Sequence, residues 1–298
     1  MNDQQTCAPC CHSGSGHEPI QNDVVVVRLS HTGENVLCTV NGMQLRCRDD
    51  VVVPTRYGDD IARVLGCVTE ATRSEYDKPV TIIRTASDED RRITAENDRD
   101  AAQALAFAKQ LVDQRNLPMS MVSAHYSIDR SRLVLLFTAE TRIDFRDLVK
   151  DLVHEYRVRI ELRQIGVRDE SRIVGGLGIC GRVLYCNGVS DRLKAVSIRM
   201  AKAQNLSLNS AKISGPCERL LCCLEYEYDF YRDAKRGVPG VGARVYWGEE
   251  SLRVSDVNLL TRTVRIDSRE RSATLPAERI RYDSGDQRWV VLEEAGDS

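Results

Sequence analysis

Short runs of β-branched residues alternate with turn dipeptides between residues 23 and 85, a pattern typical of short strands joined by tight turns. Asn41-Gly42 is a strong hairpin signal, and Pro54 closes a run because proline cannot donate to a strand ladder. Five strands are predicted, at 24–29, 36–40, 45–47, 51–53 and 60–69. Strands of this length and spacing favour a small β-barrel over 23–85.

A helical period replaces the strand pattern after residue 86. Apolar residues recur at 101, 105, 108 and 111, which is one face of a helix that we expect to end before Pro118. Residues 86–99, rich in charge, are interpreted as an exposed approach to that helix. A hairpin over 119–138, a helix over 145–156 behind a capping Asp144, and a strand over 157–164 follow. The order α-β-β-α-β predicts an open α+β sandwich.

The remaining segments complete the expected organisation. A Cys-rich helical region extends the central α+β domain over 86–235, and residues 236–298 are predicted to form a small antiparallel β unit. Residues 1–22 are rich in Ser, Gly and Gln without a hydrophobic period, which is typical of a disordered tail. The run Cys7, Cys10, Cys11 and His12 could bind zinc, but in such a tail no role is the favoured interpretation. The chain as a whole is predicted to be an α+β protein.

The composition argues against two classes of protein, membrane-spanning proteins and secreted proteins. The 298 residues include no apolar run near the roughly 20 residues that a membrane span needs. No apolar signal core lies near Met1 either, so we expect a cytoplasmic protein with no direct membrane insertion. Eleven cysteines, an odd number, fit a reducing compartment better than a disulfide framework.

Five of the cysteines lie in a duplicated motif. Residues 178–186 and 215–223 share Gly-x-Cys-x-Arg-x-Leu-x-Cys, with five of nine positions identical. The spacing of five residues between the two Cys is not that of a zinc knuckle, yet thiolates suit both zinc and iron–sulfur clusters. Buried thiols that only pack as small apolar groups are the alternative. The candidate metal ligands are Cys180, Cys186, Cys217, Cys222 and Cys223.

A basic block overlaps this motif. Residues 157–219 contain 12 basic and five acidic side chains, although the whole chain has a net charge of −2. Such a block can mark a nucleic-acid or acidic-protein contact, and a solvated face is the alternative. The candidate contact residues are Arg157, Arg159, Arg163, Arg168, Arg182 and Arg219. Aromatic residues for base stacking are sparse here, which argues against sequence-specific RNA recognition.

Catalytic motifs are not evident. The histidines at 12, 17, 31, 125 and 154 show no spacing to carboxylates that would indicate a general base or a metal motif. The Gly175-Gly176-Leu177-Gly178 run is too short to cradle a phosphate and is interpreted as a tight turn. We therefore expect no enzymatic activity.

Six longer motifs lie in the predicted central domain: FTAE at 137–140, DFRDLVKDL at 144–152, RIELRQIGVRDE at 159–170, GGLGICGR at 175–182, MAKAQNLSLN at 200–209 and KISGPC at 212–217. These motifs resemble the bacterial YaaT/RicT family, whose members carry the polymerase-suppressor C-terminal homology region. The resemblance is close over 117–228, looser over the predicted barrel and weak in the C-terminal β unit.

This resemblance implies a cytosolic regulator that acts with two small helical partners, RicA and RicF. In that family the complex binds iron–sulfur clusters, so the resemblance implies a [4Fe-4S] cluster as the cofactor. The complex modulates RNase Y in messenger RNA processing and in cell-fate decisions such as sporulation. By position, the family's first Cys motif falls on Cys180 and Cys186 and its second on Cys217, Cys222 and Cys223. Tyr185 stands where the family has the first Cys of a closing pair.

Two functions follow from these observations. The first is a scaffold or adaptor of an RNA-processing complex, with a cluster or a structural zinc at the duplicated motif. The second is direct nucleic-acid binding by the 157–219 block, with the cysteines purely structural. Phosphate contacts release counterions, so a steep salt dependence of RNA affinity would distinguish the second from the first.

Overall fold

The structure, a computed structural model, describes residues 20, 22–68, 73, 76, 78–190 and 192–292. The cysteines and His12 of the predicted tail lie outside the described residues. The chain divides into two compact units, Met1–Leu193 and Lys194–Ser298, and we describe each by itself. This boundary falls inside the predicted 86–235 domain, because Tyr231, Ala234 and Val238 pack against the core of the last sheet.

The first unit begins with a curled, half-barrel sheet in the order β5-β2-β1-β4-β3-β6. Its strands are β1 Val24–Leu29, β2 Asn35–Thr39, β3 Asp50–Thr55, β4 Gly58–Cys67, β5 Val80–Thr81 and β6 Arg84–Thr85. Alternate side chains such as Val25, Val27 and Val51 are fully buried on one face, as expected for a sheet with one wet side. The predicted α+β class is confirmed, and the small β-barrel predicted over 23–85 is a half-barrel.

Two strand predictions in this sheet need correction. No strand forms over 45–47; instead, Leu45 is fully buried and its carbonyl accepts a hydrogen bond from the Ile20 N–H at 2.7 Å. Strand β3 continues through Pro54, which was expected to end it. Only Val51 and Val52 of β3 pair with β6, so proline removes no hydrogen bond on that side.

An α+β sandwich follows in the same unit. Its elements are α1 Asp88–Gln114, β7 Ser120–Tyr126, β8 Arg132–Thr138, α2 Arg146–Tyr156, β9 Arg159–Gln164, α3 Val167–Val174 and α4 Tyr185–Gly188. Strand β8 lies in the centre of the sheet, antiparallel to β7 and parallel to β9. Helices α1 and α2 cover its core through Ala104, Ala108, Leu148 and Leu152, which are almost fully buried. The predicted order α-β-β-α-β is thus observed.

Helix α1 starts earlier than its apolar period indicates. The Ser87 hydroxyl accepts from the Asp90 N–H, and the Asp90 carboxylate accepts from the Ser87 N–H, which is a reciprocal capping box. The charged residues interpreted as an approach to the helix are therefore its first turns. Arg92 pairs there with Glu89 and Glu96, one turn before and after it.

Close contacts join the half-barrel to the sandwich within the first unit. The Ile128 N–H donates to the Asp59 carbonyl at 3.2 Å, and the Arg132 guanidinium donates to the Arg56 carbonyl at 3.4 Å. Gly58 has a φ of +128°, and a Cβ there would lie 3.1 Å from the Ser127 Cβ. A glycine is needed here both for its backbone conformation and for this approach.

The second unit combines short helices with a six-stranded sheet. Its elements are α5 Ile198–Ala203, α6 Ser210–Ile213, α7 Cys223–Tyr226, α8 Tyr228–Ala234, β10 Arg244–Trp247, β11 Glu250–Asn258, β12 Thr263–Asp267, β13 Ser272–Pro276, the 3-10 turn Ala277–Arg279, β14 Ile280–Asp283 and β15 Arg288–Val291. The order is β13-β12-β11-β10-β15-β14. Strands β14 and β15 were not predicted, and β10 pairs with β15 in parallel, so the unit is not wholly antiparallel.

Candidate functional site

The duplicated Cys motif is also a structural repeat. In the first copy the Gly178 N–H donates to the Arg182 carbonyl at 2.8 Å; in the second the Gly215 N–H donates to the Arg219 carbonyl at 2.9 Å. Each turn contains one residue in the left-handed backbone conformation, which is Gly181 (φ 75°) in the first copy and Glu218 (φ 59°) in the second. Both copies thus form the same tight hairpin, followed by a single helical turn.

The thiols of the two copies belong to different units. Cys180, which is exposed, and Cys186, which is 6% exposed, lie in the first unit. Cys217, Cys222 and Cys223 are partly buried in the second. Neither unit alone therefore supplies four thiolates from this motif, the number that a [4Fe-4S] cluster takes from cysteine.

The distances between the thiols of the second copy test whether these cysteines could bind one zinc ion. Tetrahedral ligands at 2.3 Å from zinc place two sulfurs ~3.8 Å apart. Among the residues that the structure describes, the three thiols of the second unit do not form a group with ligand atoms within 4.8 Å of one another. These three cysteines are therefore not arranged for a single zinc ion, whereas a cluster spreads its ligands over separate iron atoms.

The predicted basic contact residues are dispersed. Arg157, which caps the end of α2, and Arg159, the first residue of β9, are exposed, and Arg159 pairs with Glu161 at 3.5 Å. Arg163, further along β9, is half-buried and donates to the Tyr57 hydroxyl. The other three lie apart in the sequence: Arg168 is half-buried in α3, and Arg182 and Arg219 are exposed within the two Cys hairpins.

A different polar cluster lies buried in the first unit and comprises His31, Asp60 and His125, here called the His-Asp-His cluster. The His125 Nε2 lies 2.8 and 2.9 Å from the two oxygens of Asp60, and the His31 Nδ1 lies 3.5 Å from Asp60 Oδ2. The two imidazole rings stack at 3.9 Å between centroids with 7° between their planes. The three side chains are at most 10% exposed.

Three separate elements bring these side chains together. His31 sits in the turn between β1 and β2, Asp60 points inward from β4, and His125 lies near the end of β7. Antiparallel pairing of β1 with β4 brings the turn beside Asp60, and the contact of the half-barrel with the sandwich adds His125. Sequence reasoning missed the cluster, because its members are separated by up to 94 residues.

Burial sets the protonation of the cluster. Burial, followed by the charges of His125 and Arg56, lowers the pKa of His31 to about 3, so this ring is neutral at pH 7. Burial also raises the pKa of Asp60, although the hydrogen bond with His125 opposes the shift. The buried Asp60 carboxylate and the His125 imidazole are hydrogen-bonded to each other, so removing either side chain leaves the other buried without that hydrogen bond.

A cavity of about 150 Å³ adjoins the cluster and is lined by His31 and His125. Its other polar walls include Arg56, Arg163 and Arg172, and its apolar floor comes from β8 and α3. Both Arg56 and Arg163 lie over the ring of Tyr57, at 4.9 and 5.7 Å from its centroid. The volume is enough for several water molecules or one small ligand.

Comparisons with known proteins identify the family. A family model described as the PSP1 C-terminal conserved region matches residues 80–165, and another, the PSP1-like protein third domain, matches 195–238. The chain is 37% identical to the Stage 0 sporulation protein YaaT of Bacillus subtilis over 246 residues, which is 82% of this chain and 90% of that protein. The chain belongs to the YaaT/RicT family. The resemblance stated from the sequence motifs is thereby confirmed.

Other likenesses of this YaaT/RicT family member are more limited. An uncharacterized protein of Schizosaccharomyces pombe is 33% identical over 108 residues, which is 36% of this chain and 14% of that protein. No solved structure matches the chain. Among the residues that the structure describes, none of the helices combines the length and the apolar composition that a bilayer crossing requires.

Proposed function

We propose that this chain is a non-enzymatic regulatory subunit, a scaffold in an assembly that controls cell fate through messenger RNA processing. The observation that carries the proposal is the likeness to the Stage 0 sporulation protein YaaT over 90% of that protein. A match over nearly the whole of a regulator supports a shared role better than a match to one module does. The partners that we propose are RicA-like and RicF-like helical proteins and RNase Y.

Exposed apolar side chains around the first Cys hairpin support a scaffold role. Leu177 and Ile179 are each 67% exposed, and Val183 is 53% exposed. Large apolar side chains grouped on a surface are typical of protein contact sites. The same surface carries the exposed Cys180 thiol, so a partner that binds there also reaches that thiol.

A [4Fe-4S] cluster at the duplicated motif belongs to this proposal with one condition. Since neither unit contributes four thiolates from the motif, the cluster needs ligands from both copies or from a partner. Cys47 and Cys67 are partly buried in the first unit and lie outside the duplicated motif, so the double variant C47S/C67S is a matched control. Anaerobic purification with iron, sulfide and zinc analysis compares the wild type with C217S/C223S and with this control. Broad visible absorption that disappears only in C217S/C223S supports the cluster; equal iron in all three proteins contradicts it.

The regulatory role itself is tested in cells. The gene is deleted from its host and replaced by the wild type, C217S/C223S or C47S/C67S, and transcript 5′ ends are mapped across the transcriptome. We expect RNase Y-dependent ends to be lost on deletion, restored by the wild type and by C47S/C67S, and not restored by C217S/C223S. Unchanged ends in the deletion strain would refute the regulatory proposal whatever the metal analysis shows.

Direct nucleic-acid binding stays a prediction with less support. The half-buried Arg163 donates to the Tyr57 hydroxyl and Arg159 is paired with a carboxylate, which leaves fewer free cations than the sequence count indicates. A protein that contacts several phosphates loses affinity steeply between low and moderate salt. Filter binding of a short RNA at a series of salt concentrations would reveal that slope.

A further inference from the structure

We propose that His31, Asp60 and His125 bind one divalent transition-metal ion, for which zinc is the reference. The cluster offers two imidazole nitrogens and one carboxylate oxygen, and these ligand atoms lie within 4.8 Å of one another. Two imidazoles and a carboxylate are typical of metal sites that keep a coordination position open. This inference is independent of the regulatory role and of the Cys motifs.

The first argument comes from His31. Its side chain is 8% exposed, and within the described part of the chain neither of its ring nitrogens has a hydrogen-bond partner. A neutral imidazole carries one donor and one acceptor, and burying both without a partner costs free energy. An ion bound at Nδ1 gives the lone pair of that nitrogen a partner, which the protein itself does not provide.

The second argument is a comparison of distances. Two ligands held tetrahedrally at 2.0 Å from zinc lie ~3.3 Å apart. The His31 Nδ1 to Asp60 distance of 3.5 Å already matches that separation, whereas the His125 Nε2 to Asp60 distance of 2.8 Å is that of a direct hydrogen bond. Binding an ion therefore replaces that hydrogen bond and separates His125 from Asp60 by roughly half an ångström. Because an imidazole holds a metal in its own ring plane, the two stacked rings also turn out of their parallel arrangement when both bind the ion.

Acidic side chains offset part of the positive charge near the cluster. Of the three arginines at the adjoining cavity, two have acidic neighbours: Arg172 lies 3.1 Å from Asp169 and 3.6 Å from Glu34, and Arg56 lies 4.0 Å from Glu34. The carboxylate of Asp60 contacts only imidazoles among the charged side chains of the described residues. The cavity has room for water as a further ligand.

Such an ion would join the half-barrel to the sandwich. Its ligands come from the β1–β2 turn, from β4 and from β7, so one ion links two sheets that otherwise meet through a few hydrogen bonds and apolar contacts. Anything that binds the folded state and not the unfolded state stabilises the fold by mass action. The metal would therefore make the stability of the first unit depend on metal supply.

Cobalt(II) is the probe for the experiment, because its spectrum separates thiolate sites from nitrogen and oxygen sites. The full chain is stripped with a chelator and titrated with Co²⁺, and zinc is then added in competition. We expect one equivalent of Co²⁺ with visible ligand-field bands and no near-ultraviolet thiolate-to-cobalt absorption, displaced by one equivalent of Zn²⁺. Any cobalt held by the eleven cysteines shows the thiolate absorption and is counted separately.

Three variants complete the test. H31Q removes a ligand that makes no hydrogen bond in the protein, so we expect it to fold and to lose the thiolate-free equivalent. D60N should lose the same equivalent, while H154Q, at an exposed histidine of α2, should keep it. Circular dichroism checks the fold of each variant.

Retention of the thiolate-free cobalt by folded H31Q and D60N would overturn the proposal, and so would the lack of such cobalt in the wild type. If D60N does not fold, H31Q and the wild-type titration still decide the question. A rise in the melting temperature of the wild type with Zn²⁺ that H31Q lacks and H154Q keeps would support the site by a second readout.

Discussion

Gly58 is the position where one methyl group should most clearly disturb the first unit. Its φ of +128° is a conformation that L-residues rarely adopt, and a Cβ there would lie 3.1 Å from the Ser127 Cβ. Gly176 has nearly the same φ, +122°, but nothing lies within 4 Å of its Cβ position. The pair G58A and G176A therefore separates backbone strain from steric contact.

The magnitudes follow from these two terms. A residue held in a sparsely populated backbone region costs about 1–3 kcal/mol, which both variants share. Forcing extra carbon into a packed contact adds about 1–3 kcal/mol, which only G58A incurs. We expect G176A to lose about 1–3 kcal/mol of unfolding free energy and G58A about 2–6 kcal/mol, a large share of the ~5–15 kcal/mol typical of a domain.

Urea denaturation is the assay, followed by two signals. Both tryptophans, Trp247 and Trp289, lie in the second unit, so fluorescence reports that unit. Far-ultraviolet circular dichroism also reports the 27-residue α1 of the first unit. We expect G58A to shift the dichroism midpoint to lower urea and to leave the second unit's fluorescence midpoint in place. Equal losses in G58A and G176A would refute the steric argument, and no loss in either would refute the strain argument.

Three further predictions concern single groups. Burial raises the pKa of Cys38 to about 12, so at pH 8 only roughly one thiol in ten thousand is ionised; mass spectrometry after brief iodoacetamide treatment should find Cys38 unmodified and the exposed Cys180 labelled. S87A breaks the capping box of α1 and should cost about 1 kcal/mol in urea denaturation, whereas S87D, which restores a cap, should cost less. Hydrogen bonds from Arg84, then from Ser87, hold the pKa of Asp90 below its ordinary 3.8, so its stabilising effect is complete above that pH and is lost as the pH falls towards the lower folded-state pKa. D90N should therefore be less stable than the wild type at pH 6 and should lose less stability on acidification; parallel curves would contradict this assignment.

Local sequence patterns determined most of the elements. The period of two in residues 24–29 and the period near 3.6 in residues 101–111 each reflect one buried face, and such faces depend on neighbours a few residues away. The α+β class and the order of the sandwich followed from these patterns. The duplicated Cys motif was equally visible, because five identical positions encode the same hairpin twice.

Structural elements that depend on residues distant in the sequence were predicted less well. Residues 45–47 have a strand-like composition, but Leu45 instead fills the core of the half-barrel beside Ile20. Strands β14 and β15 are not evident in the sequence, because apolar and polar residues alternate only weakly in each. They are stabilised by pairing with each other, and β15 also pairs with β10. The boundary between the two units, after Leu193, depends on which core each short helix packs against, and no local sequence pattern indicates this.

Only the tertiary structure assembled the His-Asp-His cluster. No local spacing connects His31, Asp60 and His125, since the pairing of β1 with β4 and the packing of β7 against β4 bring them together. The sequence determined which residues could bind iron, zinc or another ligand. Their distances, their burial and the lack of a hydrogen-bond partner for His31 among the described residues are properties of the folded chain, because burial and proximity arise only when distant segments pack.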